Sequence, residues 1–132
     1  YRPIYDPFEA ELGRFIQMDK DFIGRDALAA KYADDGPGAA YALLTFTVES
    51  EPGRDGYDVI GDEPIWHDGE VVGWVTSGGY AHHSETSVAM GYVPAALATS
   101  DGPWQIEIIG DLKACARVDG CIWDQEAERM RA

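Results

Sequence analysis

A chain of 132 residues with 24 acidic and 10 basic side chains carries a net charge of −14 at neutral pH. The length allows one domain, or one domain with an appended piece of another, and 45% hydrophobic residues exclude disorder from want of a core. Seven Arg and three Lys, no two of them adjacent, argue against a nucleic-acid or anionic-membrane partner, because counterion release needs clustered cations.

The chain opens on Tyr1-Arg2-Pro3 without an initiator Met, as expected of a fragment or a processed chain. No basic stretch leads an apolar one, so no secretory signal is predicted, and no apolar run approaches the ~20 residues of a membrane span. Asp6-Pro7 marks a turn, since Pro fixes its own φ and restricts the residue before it. Phe8, Leu12, Phe15 and Ile16 then recur at helical spacing, interrupted by Gly13. Good helix formers follow over Arg25–Tyr32, and Asp34-Asp35-Gly36-Pro37-Gly38 stops them; the two Asp read as a solvated helix end.

From Tyr41 the texture turns to β. Ala42–Val48 reads as a strand, followed by turn residues over 50–56. Pro64–Trp66 and Glu70–Ser77 flank His67-Asp68-Gly69, and Asp-Gly between apolar runs predicts a tight hairpin. Ser87–Val93 is a further strand, stopped by Pro94. Trp104–Ile109 alternates, turns at Gly110-Asp111 and returns over Leu112–Val118; 125–132 is expected to be a charged, exposed tail. About six short strands with tight turns indicate an antiparallel barrel or sandwich.

Single residues say little about chemistry. His67, His82 and His83 invite a metal, but His82 and His83 would point to opposite faces of a strand, and no zinc-ligand spacing accompanies them. Loop or surface histidines, and no metal, are the expectation. Ser77 beside Gly78-Gly79 lacks the surroundings of a nucleophile elbow or a phosphate loop; the glycines suit a bulge or barrel corner. Trp66, Trp74, Trp104 and Trp123 read as barrel packing, Trp123 having the best claim to a pocket edge. Cys115 and Cys121 are too far apart on one extended strand for a disulfide and read as free thiols of a reducing, cytoplasmic setting.

The order of motifs carries more. Pro7-Phe8-Glu9-Ala10-Glu11-Leu12-Gly13-Arg14-Phe15 precedes Asp19-Lys20-Asp21-Phe22-Ile23-Gly24-Arg25-Asp26-Ala27-Leu28. Glu63-Pro64-Ile65-Trp66, then 69–80, then Ser87–Pro94, then Ala114–Val118 and 123–131 follow in turn. Together they resemble the C-terminal region of the glycine cleavage T-protein (aminomethyltransferase) family. The version at the C-terminal end of dimethylglycine and sarcosine dehydrogenases is the most similar.

The resemblance implies that residues 1–35 are the tail of a folate-binding domain and that 36–132 form a six-stranded antiparallel Greek-key barrel, mainly β, behind a short helical segment. It implies tetrahydrofolate as one-carbon acceptor, a small methylated amine as donor, and room for FAD on an upstream domain. The partner would be the folate-binding domain, in the same polypeptide or another chain. The family's catalytic Asp lies in a segment outside this sequence, so no catalytic residue is expected here and the chain alone should be inactive. Lys20, then Arg14, are the basic positions the resemblance brings to the folate channel, where a cation would pair with the anionic glutamate tail. Trp123 is a third channel candidate; Tyr80, His82 and His83 match a loop of unassigned role. The competing reading is a scaffold or subunit-docking barrel that does not touch folate. Phe8, Phe15, Phe22 and Ile23 are expected to face a missing domain, and without it to favour a homodimer through the first 35 residues.

Overall fold

In the computed structural model, residues 2–50 and 57–131 are described. The turn expected over 50–56 falls mostly outside them. Among the described residues six strands are formed: β1 (Tyr41–Val48), β2 (Pro64–His67), β3 (Glu70–Ala81), β4 (Thr86–Pro94), β5 (Trp104–Ile108) and β6 (Asp111–Val118). They close an antiparallel barrel in the order β1-β4-β3-β2-β5-β6, β6 pairing back onto β1. β2, β3 and β4 follow one another as neighbours, and β1, reached by a long connection, lies beside β4; this is a Greek key. The expected barrel is therefore present and the sandwich is not.

Period-two alternation fills the lumen. Leu44, Phe46 and Val48 of β1 point inward with Ile65, Val75, Ala89, Val93, Trp104, Ile106 and Ile108, and Val59 of the β1–β2 connection joins them. Phe46 and Trp104 meet at 5.3 Å between ring centroids. The β2–β3 hairpin turns through Asp68 (φ 50°) and Gly69 (φ 81°), the pair of left-handed residues that Asp-Gly supplies at low cost. The pairing of β3 with β4 shifts between Val75 and Ser77, just before Gly78, where a Cβ would lie 2.6 Å from Val59. The bulge expected at Gly78-Gly79 thus sits about one residue earlier, and Gly78 instead admits the close approach of Val59.

Two expectations need correction. β5 ends at Ile108, and Ile109 (φ 52°) with Gly110 (φ 84°) makes the turn, so Asp111 already belongs to β6. A β-branched residue is disfavoured in that region, and this hid the turn position. Second, residues 8–16 form no helix: a single turn ends where Glu11 takes φ 58°, and only a 3-10 turn, Gly13–Phe15, follows. The helix α1 spans Arg25–Lys31, and a last turn, α2, spans Glu128–Arg131 inside the expected tail. Among the described residues no helix is long and apolar enough to cross a membrane.

Candidate functional site

The N-terminal segment folds over the outer wall of the barrel rather than into its core. Asp6-Pro7-Phe8-Glu9 forms a capping box. The Asp6 carboxylate accepts from Phe8 N–H (2.8 Å) and Glu9 N–H (3.0 Å), and the Glu9 carboxylate accepts from Asp6 N–H (3.1 Å). Pro7 costs nothing at the first position of the turn, where its missing N–H would have no partner anyway.

The same two carboxylates reach farther. Lys31 Nζ at the end of α1 donates to Asp6 Oδ2 (2.5 Å) and Glu9 Oε1 (3.1 Å), Tyr32 OH donates to Asp6 (2.9 Å), and Ala40 N–H, just before β1, donates to Glu9 Oε1 (2.8 Å). Glu9 is only 3% exposed, so its charge is held entirely by these partners.

Burial pushes the Asp6 and Glu9 carboxyls up, but the hydrogen bonds outweigh it and leave both below the usual carboxylate range. The hydrogen bond to Asp6, aided by Glu9 and opposed by burial, raises Lys31. Burial and the bond to Asp6 push the Tyr32 phenol up to about 12.

An aromatic layer joins this latch to the wall. Tyr5 stacks on Tyr92 of β4 (4.1 Å), and Tyr41 meets Trp74 edge-on (5.4 Å). Ala10, Leu43 and Tyr92 are buried here, outside the barrel lumen.

A trough of about 1000 Å³ runs along the wall between the two ends of the chain. Outward residues of β1 and β4, including Leu43, Thr45, Val88 and Met90, form its floor. Phe8, Glu11 and Arg14 line it from the N-terminal side, and 117–122 with Gln125 and Glu126 supply the C-terminal side; Trp123 is not among the lining residues. Arg14 is exposed, its guanidinium over the Phe15 ring at 4.7 Å. Lys20 is exposed too, but it is not among the residues lining the trough.

Trp123 is 44% exposed and engaged on two sides, by His83 (3.7 Å between centroids) and by the Arg129 guanidinium (4.7 Å). Tyr80 meets His82 edge-on at 5.1 Å. His82 and His83 occupy the β3–β4 turn, not a strand, so the argument from opposite strand faces does not apply to them. Among the described residues no three His, Cys, Asp or Glu side chains are grouped as a metal site.

The structure therefore joins Trp123 to His83, puts Arg14 on the trough, and leaves Lys20 off the trough lining. The sequence reading missed Asp6, Glu9, Lys31 and Tyr32, although the Asp-x-x-Glu spacing after residue 5 is a legible capping signal. The remaining Trp residues pack: Trp104 is in the core, Trp66 donates to Glu107 (3.1 Å), and Trp74 belongs to the outer aromatic layer. Cys115 and Cys121 are free, and burial pushes the Cys115 thiol up to about 12.

This architecture has relatives. Human mitochondrial dimethylglycine dehydrogenase is 36% identical over 107 residues, which is 80% of this chain and 12% of that enzyme. An aminomethyltransferase of Acidobacterium capsulatum is 38% identical over 104 residues, 78% of this chain and 26% of the relative. The chain thus spans about a quarter or less of the length of these curated relatives. The crystal structure of the glycine cleavage system aminomethyltransferase T from Bartonella henselae superposes with a TM-score of 0.73 at 22% identity, covering 89% of this chain and 32% of that one. Residues 42–124 match the glycine cleavage T-protein C-terminal barrel domain, and the chain belongs to that family.

Proposed function

We propose that this chain is the barrel end of a tetrahydrofolate-dependent one-carbon transferase, packing on the folate-binding domain and helping to close the folate channel. Residues 1–35 complete the folate-binding domain and 36–132 form the barrel. The observation that carries this reading is the N-terminal segment, locked on itself by Asp6, Glu9 and Lys31 and held to the wall by Ala40 N–H on Glu9 and by Tyr5 on Tyr92, yet turning Ile4, Phe15 and Ile23 outward at 70%, 65% and 104% exposure. A segment so anchored and so apolar outside suits a second domain laid against it. Without that domain the same face favours a homodimer.

The donor is a small methylated amine, with FAD on an upstream domain if the parent follows its dehydrogenase relatives, in a cytoplasmic or other reducing compartment. The one-carbon chemistry belongs to the upstream part, so the chain alone does not carry out the folate-dependent transfer. Arg14 and Lys20 supply cations for the anionic end of folate. Alanine at Lys20 in the complete enzyme should raise the apparent KM for tetrahydrofolate by about tenfold, the loss of roughly one charge-assisted hydrogen bond. An unchanged KM removes Lys20 from the channel.

One observation favours the scaffold reading: Trp123 already has His83 and Arg129 as ring partners. If Arg14→Ala, Lys20→Ala and Trp123→Ala all leave KM unchanged in an assembled enzyme, the barrel holds its neighbour without touching folate.

A further inference from the structure

At the end of the barrel where β2 meets β5, three side chains outside the trough form a relay. His67 is 7% exposed. Its Nδ1 lies 3.2 Å from Asp68 Oδ2, and its Nε2 lies 2.8 Å from Ser100 Oγ. A carboxylate can only accept, so the neighbouring Asp68 charge favours a proton on Nδ1, the tautomer in which Nε2 offers its lone pair to the Ser100 hydroxyl.

The surroundings hold this geometry. The imidazole lies edge-on against Trp104, with centroids 4.2 Å apart. The Ser100 backbone is fixed twice, its N–H donating to Leu97 O (3.0 Å) and its C=O accepting from Trp104 Nε1 (3.1 Å). Gly102 N–H donates to Ser100 Oγ (3.3 Å). A Cβ at residue 102 would stand 2.6 Å from His67 Nε2, so only glycine lets the loop close on the ring. Ser100 is half-buried, Asp68 is 67% exposed, and a groove of about 520 Å³ lined in part by residues 101–104 begins at the next residue.

We infer that Ser100 is an acyl-accepting nucleophile, with His67 as its general base and Asp68 as the positioning residue, toward small activated carboxylic esters. The oxygen of Ser100 forms a bond to the ester carbonyl carbon, and its proton passes to His67 Nε2. The bond from carbonyl carbon to leaving oxygen then breaks, and His67 returns the proton to the departing group. Water reverses the sequence: its oxygen bonds the acyl carbon, His67 takes its proton, and the bond to Ser100 breaks as that oxygen is reprotonated. A nucleophile paired with a base in this way is the general pattern of covalent acyl transfer.

The test is incubation of the folded protein with p-nitrophenyl acetate, following p-nitrophenolate release and mapping acetyl adducts by peptide mass spectrometry. The expected result is an initial burst with acetyl on the peptide containing Ser100. Ser100→Ala should abolish that adduct, and His67→Gln should slow its formation by about 100-fold or more, the general-base contribution. Asp68→Asn should slow it about tenfold, with Asp68→Glu restoring part of the rate. The adduct map of the unaltered protein is decisive even where a variant fails to fold. Acetyl found only on Lys or Tyr side chains, or an equal rate in a folded Ser100→Ala protein, overturns the assignment.

Discussion

The barrel and the segment before it are stabilised in opposite ways. β1 to β6 close on themselves, so each strand has two hydrogen-bonded neighbours and the lumen holds side chains such as Phe46, Ile65 and Ile106 at 0% exposure. Neither the 3-10 turn nor α1 contains a buried residue. Instead Lys31 on Asp6 and Glu9 locks the segment on itself, and Ala40 N–H on Glu9 and Tyr5 on Tyr92 tie it to the wall. Apolar burial makes a unit that stands alone; a polar latch with an apolar outer face makes one that is finished by a neighbour.

The largest effect should come from the barrel. Phe46→Ala empties the centre of the lumen and should cost about 3–5 kcal/mol, read as a shift in chemical denaturation. A cost below about 1 kcal/mol would mean that the lumen is not the stabilising core.

The latch comes next. Glu9→Ala strands the Ala40 N–H and one bond of Lys31, for about 1–3 kcal/mol. Its signature is local: hydrogen exchange should speed up between residues 6 and 40 while β1 to β6 keep their protection. Loss of protection across the whole barrel would contradict the separation of the two regions.

Acid should loosen the same latch without substitution. Asp6 and Glu9 titrate below their unfolded values, so their contribution is complete above about pH 4 to 4.5 and is lost as pH falls through the folded values. Lys31 is raised, so its contribution holds below its unfolded value and disappears only as strongly alkaline pH passes the folded one. Exchange protection of the segment should therefore fall below pH 4 before the barrel unfolds. The smallest effect belongs to the β5–β6 turn. Ile109→Asn replaces a β-branched residue at φ 52° by one that tolerates it, ahead of Gly110, and should stabilise by about 1 kcal/mol in thermal melts.

The same contrast explains what could be read in the sequence. Alternation in Leu44–Val48 and the Asp68-Gly69 turn are local signals with one physical solution each, and both elements stand where the sequence placed them. The segment misled because Phe8, Leu12, Phe15 and Ile16 share helical spacing but not a common partner. Phe8 packs on Tyr32 (4.6 Å) while Phe15 remains exposed, and Glu11 breaks the helix with a conformation its side chain does not advertise. Lys31 meets Asp6 and Glu9 across more than twenty residues, a pairing no periodicity contains. His83 and Trp123 each stand out in the sequence, and His83 lies in a turn as a loop histidine should, but their contact spans forty residues and no local pattern contains it.

Calorimetric titration with tetrahydrofolate, comparing this chain with one extended through the upstream domain, tests the central claim most directly. The account predicts binding by the extended chain, weakened when Lys20 and Arg14 are both alanine, and none by residues 1–132 alone. Tight binding by residues 1–132 alone, or full binding by the doubly substituted extended chain, would contradict it.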